Sequence, residues 1–138
     1  MHVVMVSAEA TPYAKVGGLA DVVGALPKAM AKLGARPAIV IPAYRSLDRT
    51  RFRVKPCPEV PGFEIRMGVS TERADVLRAD ADGSGVEVFL IGSQKYFDRD
   101  GIYDDPVTRD GYPDNDERFI FFMKGALDLW NAMSVMCW

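Results

Sequence analysis

Histidine and cysteine are almost absent from this sequence. There is one histidine, His2, and there are two cysteines, Cys57 and Cys137, far apart in the chain. That excludes a disulfide framework and any recognisable metal-ligand spacing, so no metal is expected. Reduced thiols and a cytosolic setting fit best, although two cysteines can still pair. An excess of one sign of charge is missing as well. Seventeen Lys and Arg face nineteen Asp and Glu, a formal net charge of -2. No positive field therefore marks a binder of nucleic acid or anionic lipid. Long apolar runs are also lacking. Val3–Val6 follows no basic segment and is too short for a signal peptide or a membrane span, and Phe119–Met123 is broken by Lys124.

What is present is the balance of a soluble globular domain. Of 138 residues, 49% are hydrophobic and 26% charged, enough for one domain with one core. No internal repeat, low-complexity tract or linker divides it, so residues 1–138 read as one domain.

The first 42 residues read strand, loop, helix, strand. Val3–Val6 is an unbroken Val-rich run that predicts a strand buried on both faces, as in a parallel sheet. The loop after it holds Pro12 and the pair Gly17–Gly18. Leu19, Val22, Val23, Leu26, Met30 and Leu33 then recur at spacings of three and four, which predicts a helix with that stripe as its buried face. Pro27 is expected to kink or split this helix, and Gly34 to end it. Ala38–Ile41 is the second buried strand, closed by Pro42. Such a βαβ unit should cross over right-handed.

The middle differs. Phe63, Ile65, Met67 and Val69 alternate with polar residues or glycine, a half-exposed strand. A turn at 82–85 precedes a strand at Val86–Ile91, so antiparallel hairpin elements are expected here. The segment from Ser93 to Pro113 reads as a long surface loop with a short helix near Gln94–Phe97, and long loops in compact domains are often functional. Asp114 and Glu117 have capping-box spacing and predict a helix start. The stripe Phe119, Phe122, Met123, Ala126, Trp130 and Met133, widened by Ile120, Phe121, Leu127 and Leu129, predicts a helix sandwiched between layers. The fold class is α/β: a Rossmann-like, mostly parallel sheet with an antiparallel hairpin element.

The segment that can carry chemistry runs from Glu9 to Asp21. In a βαβ unit, ligands bind beyond the carboxyl ends of the strands, where this loop lies. Gly17 and Gly18 have no Cβ to hold a ligand off the backbone. They precede a helix whose first N–H groups are unpaired and whose dipole end is positive. Lys15 adds a mobile cation. These parts suit a phosphate or diphosphate. The spacing is that of neither the dinucleotide fingerprint nor the P-loop, so by spacing alone a plain strand-to-helix loop describes it as well. Asp21 can orient Lys15 or touch a sugar; it is equally a carboxylate favoured by the helix dipole. Glu9 is a weaker candidate for a sugar hydroxyl and reads better as a solvated loop residue.

The wording of residues 3–44 closely resembles the opening of bacterial glycogen synthases and plant starch synthases. Lys15-Val-Gly-Gly-Leu19 looks like that family's signature for ADP-glucose binding. The resemblance continues in Lys95-Tyr-Phe-Asp-Arg99, in Ile102-Tyr103, and in Tyr112 to Phe119. It implies part of the N-terminal lobe of a GT-B fold, in which two Rossmann-like lobes face a cleft. It implies glucose transfer from ADP-glucose to the non-reducing end of an α-1,4-glucan such as glycogen or starch, with retention of configuration and without a metal or other cofactor. Lys15 would meet the donor phosphate, Gly17 and Gly18 would let the backbone donate to the diphosphate or sugar, and Asp21 would assist. The partners implied are the nucleotide sugar and the glucan, not nucleic acid or membrane. The setting implied is the bacterial cytoplasm, or a plastid if the source is a plant, though no transit peptide is seen.

The resemblance fades after about Leu129. Members of the family are much longer, with a His- and Asp-bearing region and a second lobe to follow. The expectation is a partial domain that lacks confident catalytic residues of its own and does not turn over alone. The alternative reading is a non-catalytic α/β module that binds a nucleotide sugar or glucan.

Overall fold

The computed structural model describes residues 1–136; Cys137 and Trp138 lie outside them. Four strands make the centre of the sheet. β1 (His2–Val6) and β2 (Arg36–Pro42) are parallel, with Val3 opposite Pro37 and Val6 opposite Val40. β2 pairs in parallel on its other side with β6 (Glu87–Gly92). β5 (Ser70–Arg78) then runs antiparallel to β6 and carries both β3 (Lys55–Pro56) and β4 (Gly62–Met67). The path is therefore β1-β2-β6-β5-β3, with β4 also on β5. The parallel β1–β2 pair and the appended antiparallel elements match the fold class read from sequence. β5 was not foreseen, because Ser, Thr, Glu, Arg and Asp fill most of its positions and dilute the apolar alternation. Val69 belongs to the turn between β4 and β5 rather than to a strand.

Alternation along β2 sorts the core into two layers. Ala38 and Val40 face one layer with Phe89, Ile91 and Val76. Ile39 and Ile41 face the other with Val23, Val88 and Leu90. The second layer is closed by α1 (Gly18–Lys32), the first by α3 (Asn115–Val135), so the two long helices lie on opposite faces. Between β6 and α3 stands the short α2 (Gln94–Phe97), where a short helix was expected; its Ser93 hydroxyl accepts from the Tyr96 N–H at 3.2 Å.

Three expectations need correction. β1 is not buried on both faces. It pairs with β2 alone among the described residues, Val6 is 48% exposed, and a groove of about 840 Å³ runs between β1 and Phe119, Phe122, Ala126 and Trp130 of α3. Correspondingly α3 is buried on one side, by Phe121, Phe122, Ala126, Leu129 and Met133, while Ile120, Met123 and Leu127 stay exposed. Nor does α1 turn most of the predicted stripe inward: Leu19, Val22, Leu26 and Leu33 are exposed, and Val23 alone of the stripe is fully buried, with Ala20 and Pro27. Small residues win here because the helix approaches the loop after β1 too closely for large ones. Thr11 donates its N–H to the Ala20 carbonyl at 2.9 Å. A Cβ placed on Gly24 would stand 2.5 Å from the Thr11 carbonyl oxygen. Gly24→Ala should therefore destabilise the chain by about 1–3 kcal/mol, the usual cost of overpacking, despite alanine's better helix propensity. Urea denaturation measures this; a stabilised Gly24→Ala would refute the close approach.

The helix ends are partly as read. α1 runs through Pro27 as one helix. It stops where Gly34 adopts φ +87°, with Gly34 donating to the Ala31 carbonyl at 3.0 Å and Ala35 to that of Met30 at 3.1 Å. This is a Schellman close, which favours glycine at that position. α3 starts after Asp114, yet no capping box forms. The Asp114 carboxylate instead takes both Arg99 guanidinium nitrogens, at 2.7 and 2.6 Å, and Glu117 accepts from the Tyr96 hydroxyl at 3.0 Å. The strong fork–carboxylate pair wins over a single backbone bond. No helix among the described residues is long and apolar enough to cross a membrane.

Candidate functional site

β1 ends at Val6 and its chain turns over the carboxyl edge of the sheet before entering α1. Ser7 accepts there from the Glu9 N–H at 3.3 Å and donates to the Glu9 carbonyl at 2.8 Å, so the turn is locally closed. Glu9, read from sequence as solvated, is only 3% exposed. One carboxylate oxygen accepts from the Gly17 N–H at 3.0 Å and from the Ala20 N–H at 3.2 Å. The other accepts from the Tyr103 hydroxyl at 2.9 Å. Burial works against ionisation of Glu9, but the donors from Gly17, Tyr103 and Ala20 outweigh it and hold the carboxyl below its ordinary range. Burial first, and then the hydrogen bond to Glu9, pushes Tyr103 up to about 12.

Glu9 thus occupies part of the anion-favouring end of α1. Gly17 is the N-cap, with an extended backbone and no side chain to cap the helix; a carboxylate from eight residues earlier does so instead. The Gly18 and Leu19 N–H groups take no acceptor among the described residues. Space lies open beside them: a Cβ on Gly18 would meet nothing within 4 Å.

Lys15 is an exposed residue of this turn. Its ammonium donates to both oxygens of Asp21, each at 2.8 Å, and both side chains are about half exposed. Thr11 adds a third donor to Asp21 at 3.0 Å. The hydrogen bonds from Lys15 and Thr11 hold the Asp21 carboxyl below its usual range. Of the four residues singled out from sequence, Lys15 and Asp21 are thus paired with each other, Gly17 is engaged by Glu9, and Gly18 faces open space.

The loop after α2 reaches this turn through one side chain. Tyr103 reaches Glu9 from it, its ring beside Phe119 at a centroid distance of 5.8 Å. Tyr96 is fully buried under the loop against Phe121. Tyr112 is partly buried and lies over the guanidinium groups of Arg99 and Arg118. Sequence reasoning missed Glu9 and Tyr103 as a pair because no local pattern links positions so far apart. Cys57 is buried and is no part of this region; burial raises its thiol, and the buried thiol donates to Glu59 at 3.4 Å. Among the described residues no three His, Cys, Asp or Glu gather as metal ligands.

Residues 2–137 match the family described as the starch synthase catalytic domain. The chain belongs to that family. Its relatives agree. It is 41% identical over 130 residues to glycogen synthase 1 of Geobacter metallireducens, covering 94% of this chain and 25% of that protein. It is 40% identical over 130 residues to the glycogen synthase of Elusimicrobium minutum, again covering 25% of it. The catalytic domain of starch synthase IV from Arabidopsis thaliana, solved bound to ADP and acarbose, superimposes with a TM-score of 0.77 at 30% identity, over 93% of this chain and 24% of that one. The open, mixed α/β sheet of this chain therefore matches part of a starch synthase catalytic domain, which is of GT-B type. The chain spans about a quarter of the length of the relatives it matches.

Proposed function

We propose that residues 1–138 form the donor-side part of the N-terminal lobe of an ADP-glucose-dependent α-glucan glucosyltransferase, acting on glycogen or starch with retention of configuration. The observation that carries this reading is the pair of N–H groups, Gly18 and Leu19, left without an acceptor among the described residues in a first turn of α1 whose Asp21 holds the ammonium of Lys15. Two oriented donors and a cation suit a diphosphate, and the charge they stabilise is the one that develops on a departing ADP. The starch synthase that this chain resembles in structure was solved bound to ADP and acarbose. Gly17 enters the reading by its lack of a Cβ and not by its N–H, which Glu9 holds. Asp21 enters it by aiming Lys15. No cofactor or metal is required by this scheme. The bacterial relatives favour a cytoplasmic setting.

Titration calorimetry with ADP tests the reading. Lys15→Ala should weaken binding by about 1.5–3 kcal/mol, the worth of a charged hydrogen bond, or roughly ten- to a hundredfold. Gly18→Ala is the sharper variant. Its added methyl meets no protein atom within 4 Å, so the fold should be unharmed while the ligand's approach is blocked. Equal ADP affinity in wild type and both variants would remove this loop from donor binding. Binding of ADP without any transfer when the relatives' remaining elements are supplied would favour the non-catalytic module.

A further inference from the structure

The glycine loop is held from an unexpected direction. Among the described residues, one side chain outside residues 1–21 hydrogen-bonds the Glu9 carboxylate: the Tyr103 hydroxyl, from 94 residues away. Tyr103 is itself fixed at both ends of its peptide. Its carbonyl accepts from the Tyr112 N–H at 3.1 Å and from the Asn115 amide at 2.9 Å. The preceding carbonyl, of Ile102, accepts from the buried guanidinium of Arg118 at 2.9 Å. Arg118 also holds the Asn115 side-chain oxygen at 2.7 Å. The phenol is thus mounted on the first turn of α3, on the opposite face of the sheet from α1.

We infer that Tyr103 is a positioning residue for the glycine loop, acting through Glu9. A carboxylate has two oxygens and rotates about one bond. With Tyr103 satisfying one oxygen, the other is aimed at Gly17 and Ala20, and the turn between them is fixed with Gly18 and Leu19 facing outward. Without the hydroxyl, a buried oxygen of Glu9 lacks a donor, and the carboxylate turns or draws in water. The loop then samples other arrangements, and a ligand must reorder it on binding. The part of this inference that concerns ADP rests on the donor-binding reading above; the part that concerns loop order does not.

Tyr103→Phe keeps the ring against Phe119 and removes one oxygen. Amide exchange followed by NMR on the 1–138 chain should show Gly17 and Ala20 exchanging about tenfold faster, with the amides of β2 and β6 unchanged and the melting temperature within about 3 °C. The ADP dissociation constant should rise about five- to tenfold. Glu9→Ala should reproduce both changes, and adding Tyr103→Phe to it should add nothing. Glu9→Gln, which keeps one acceptor for the two N–H groups, should restore part of the protection lost in Glu9→Ala. Unchanged exchange at Gly17 and Ala20 in Tyr103→Phe would overturn the inference, and so would faster exchange throughout the core. If wild type and Lys15→Ala both fail to bind ADP, the donor reading falls, and the exchange result alone decides on Tyr103.

Discussion

Arg118→Ala should unfold the chain roughly 10–15 °C below wild type, the largest stability loss expected of any single change described here. Arg118 is fully buried, and its guanidinium donates to the carbonyl oxygens of Tyr96 at 2.8 Å and Ile102 at 2.9 Å. Rings of Tyr112, Phe119 and Phe97 surround it at 4.9, 5.5 and 5.6 Å. No carboxylate pairs with it among the described residues, and one terminal nitrogen has no partner. Burial accordingly lowers its affinity for the proton. Such a cation is costly to bury, yet removing it is worse. Two buried carbonyls lose their donor, at about 1–3 kcal/mol each, and a cavity opens among the rings. The sum is about 3–5 kcal/mol, the range known for breaking buried charged networks. Arg118→Lys keeps the charge but cannot span both carbonyls, and should lose most of the same stability. Thermal unfolding of the three proteins decides it. A shift under 3 °C for Arg118→Ala would show that the loop over α3 is held by something else.

The second large effect concerns rate. Residues 1–138 on their own should give no measurable incorporation of labelled glucose from ADP-glucose into glycogen. The chain has about a quarter of its relatives' length, and a transferase must hold donor, acceptor and charge-stabilising groups together. Loss of that positioning costs on the order of 7–11 kcal/mol of barrier. This corresponds to roughly five to eight decades of rate. The groups proposed above to bind the donor, one ammonium and two N–H groups, do not by themselves assemble a reaction centre. Turnover by the 1–138 chain that vanishes in Lys15→Ala would contradict this expectation and make the chain an enzyme by itself.

The strands that could be read from sequence are those whose surroundings are uniform. Ala38–Ile41 lies between two layers, so every residue there is apolar and the run speaks for itself. The helices were read less well because hydrophobic periodicity reports size and not distance. α1 meets its neighbours through Ala20, Val23, Gly24 and Pro27, where small side chains permit contact, and its leucines point away. A stripe of small residues at the same spacing was visible, but nothing local marks it as the closer face. Glu9 illustrates the same limit at the candidate site. Its charge and its place in a loop both argue for solvent. Its burial depends on a phenol, two backbone donors and a fold that brings them together. Lys15, Gly18 and Asp21 needed no such assembly to be noticed, since their neighbours in space are also their neighbours in sequence.

β1 borders the sheet, and the helices on its two sides cover opposite faces. The crossover from β1 to β2 lays its helix on one face. α3 lies on the other and flanks the outer edge of β1 across the groove. Among the described residues β1 is the border strand, with a neighbour on one side only. The turn that carries Lys15 and Gly18 departs from β1 there. Substitutions within the turn therefore change the chemistry displayed at that border and leave the order of the strands alone.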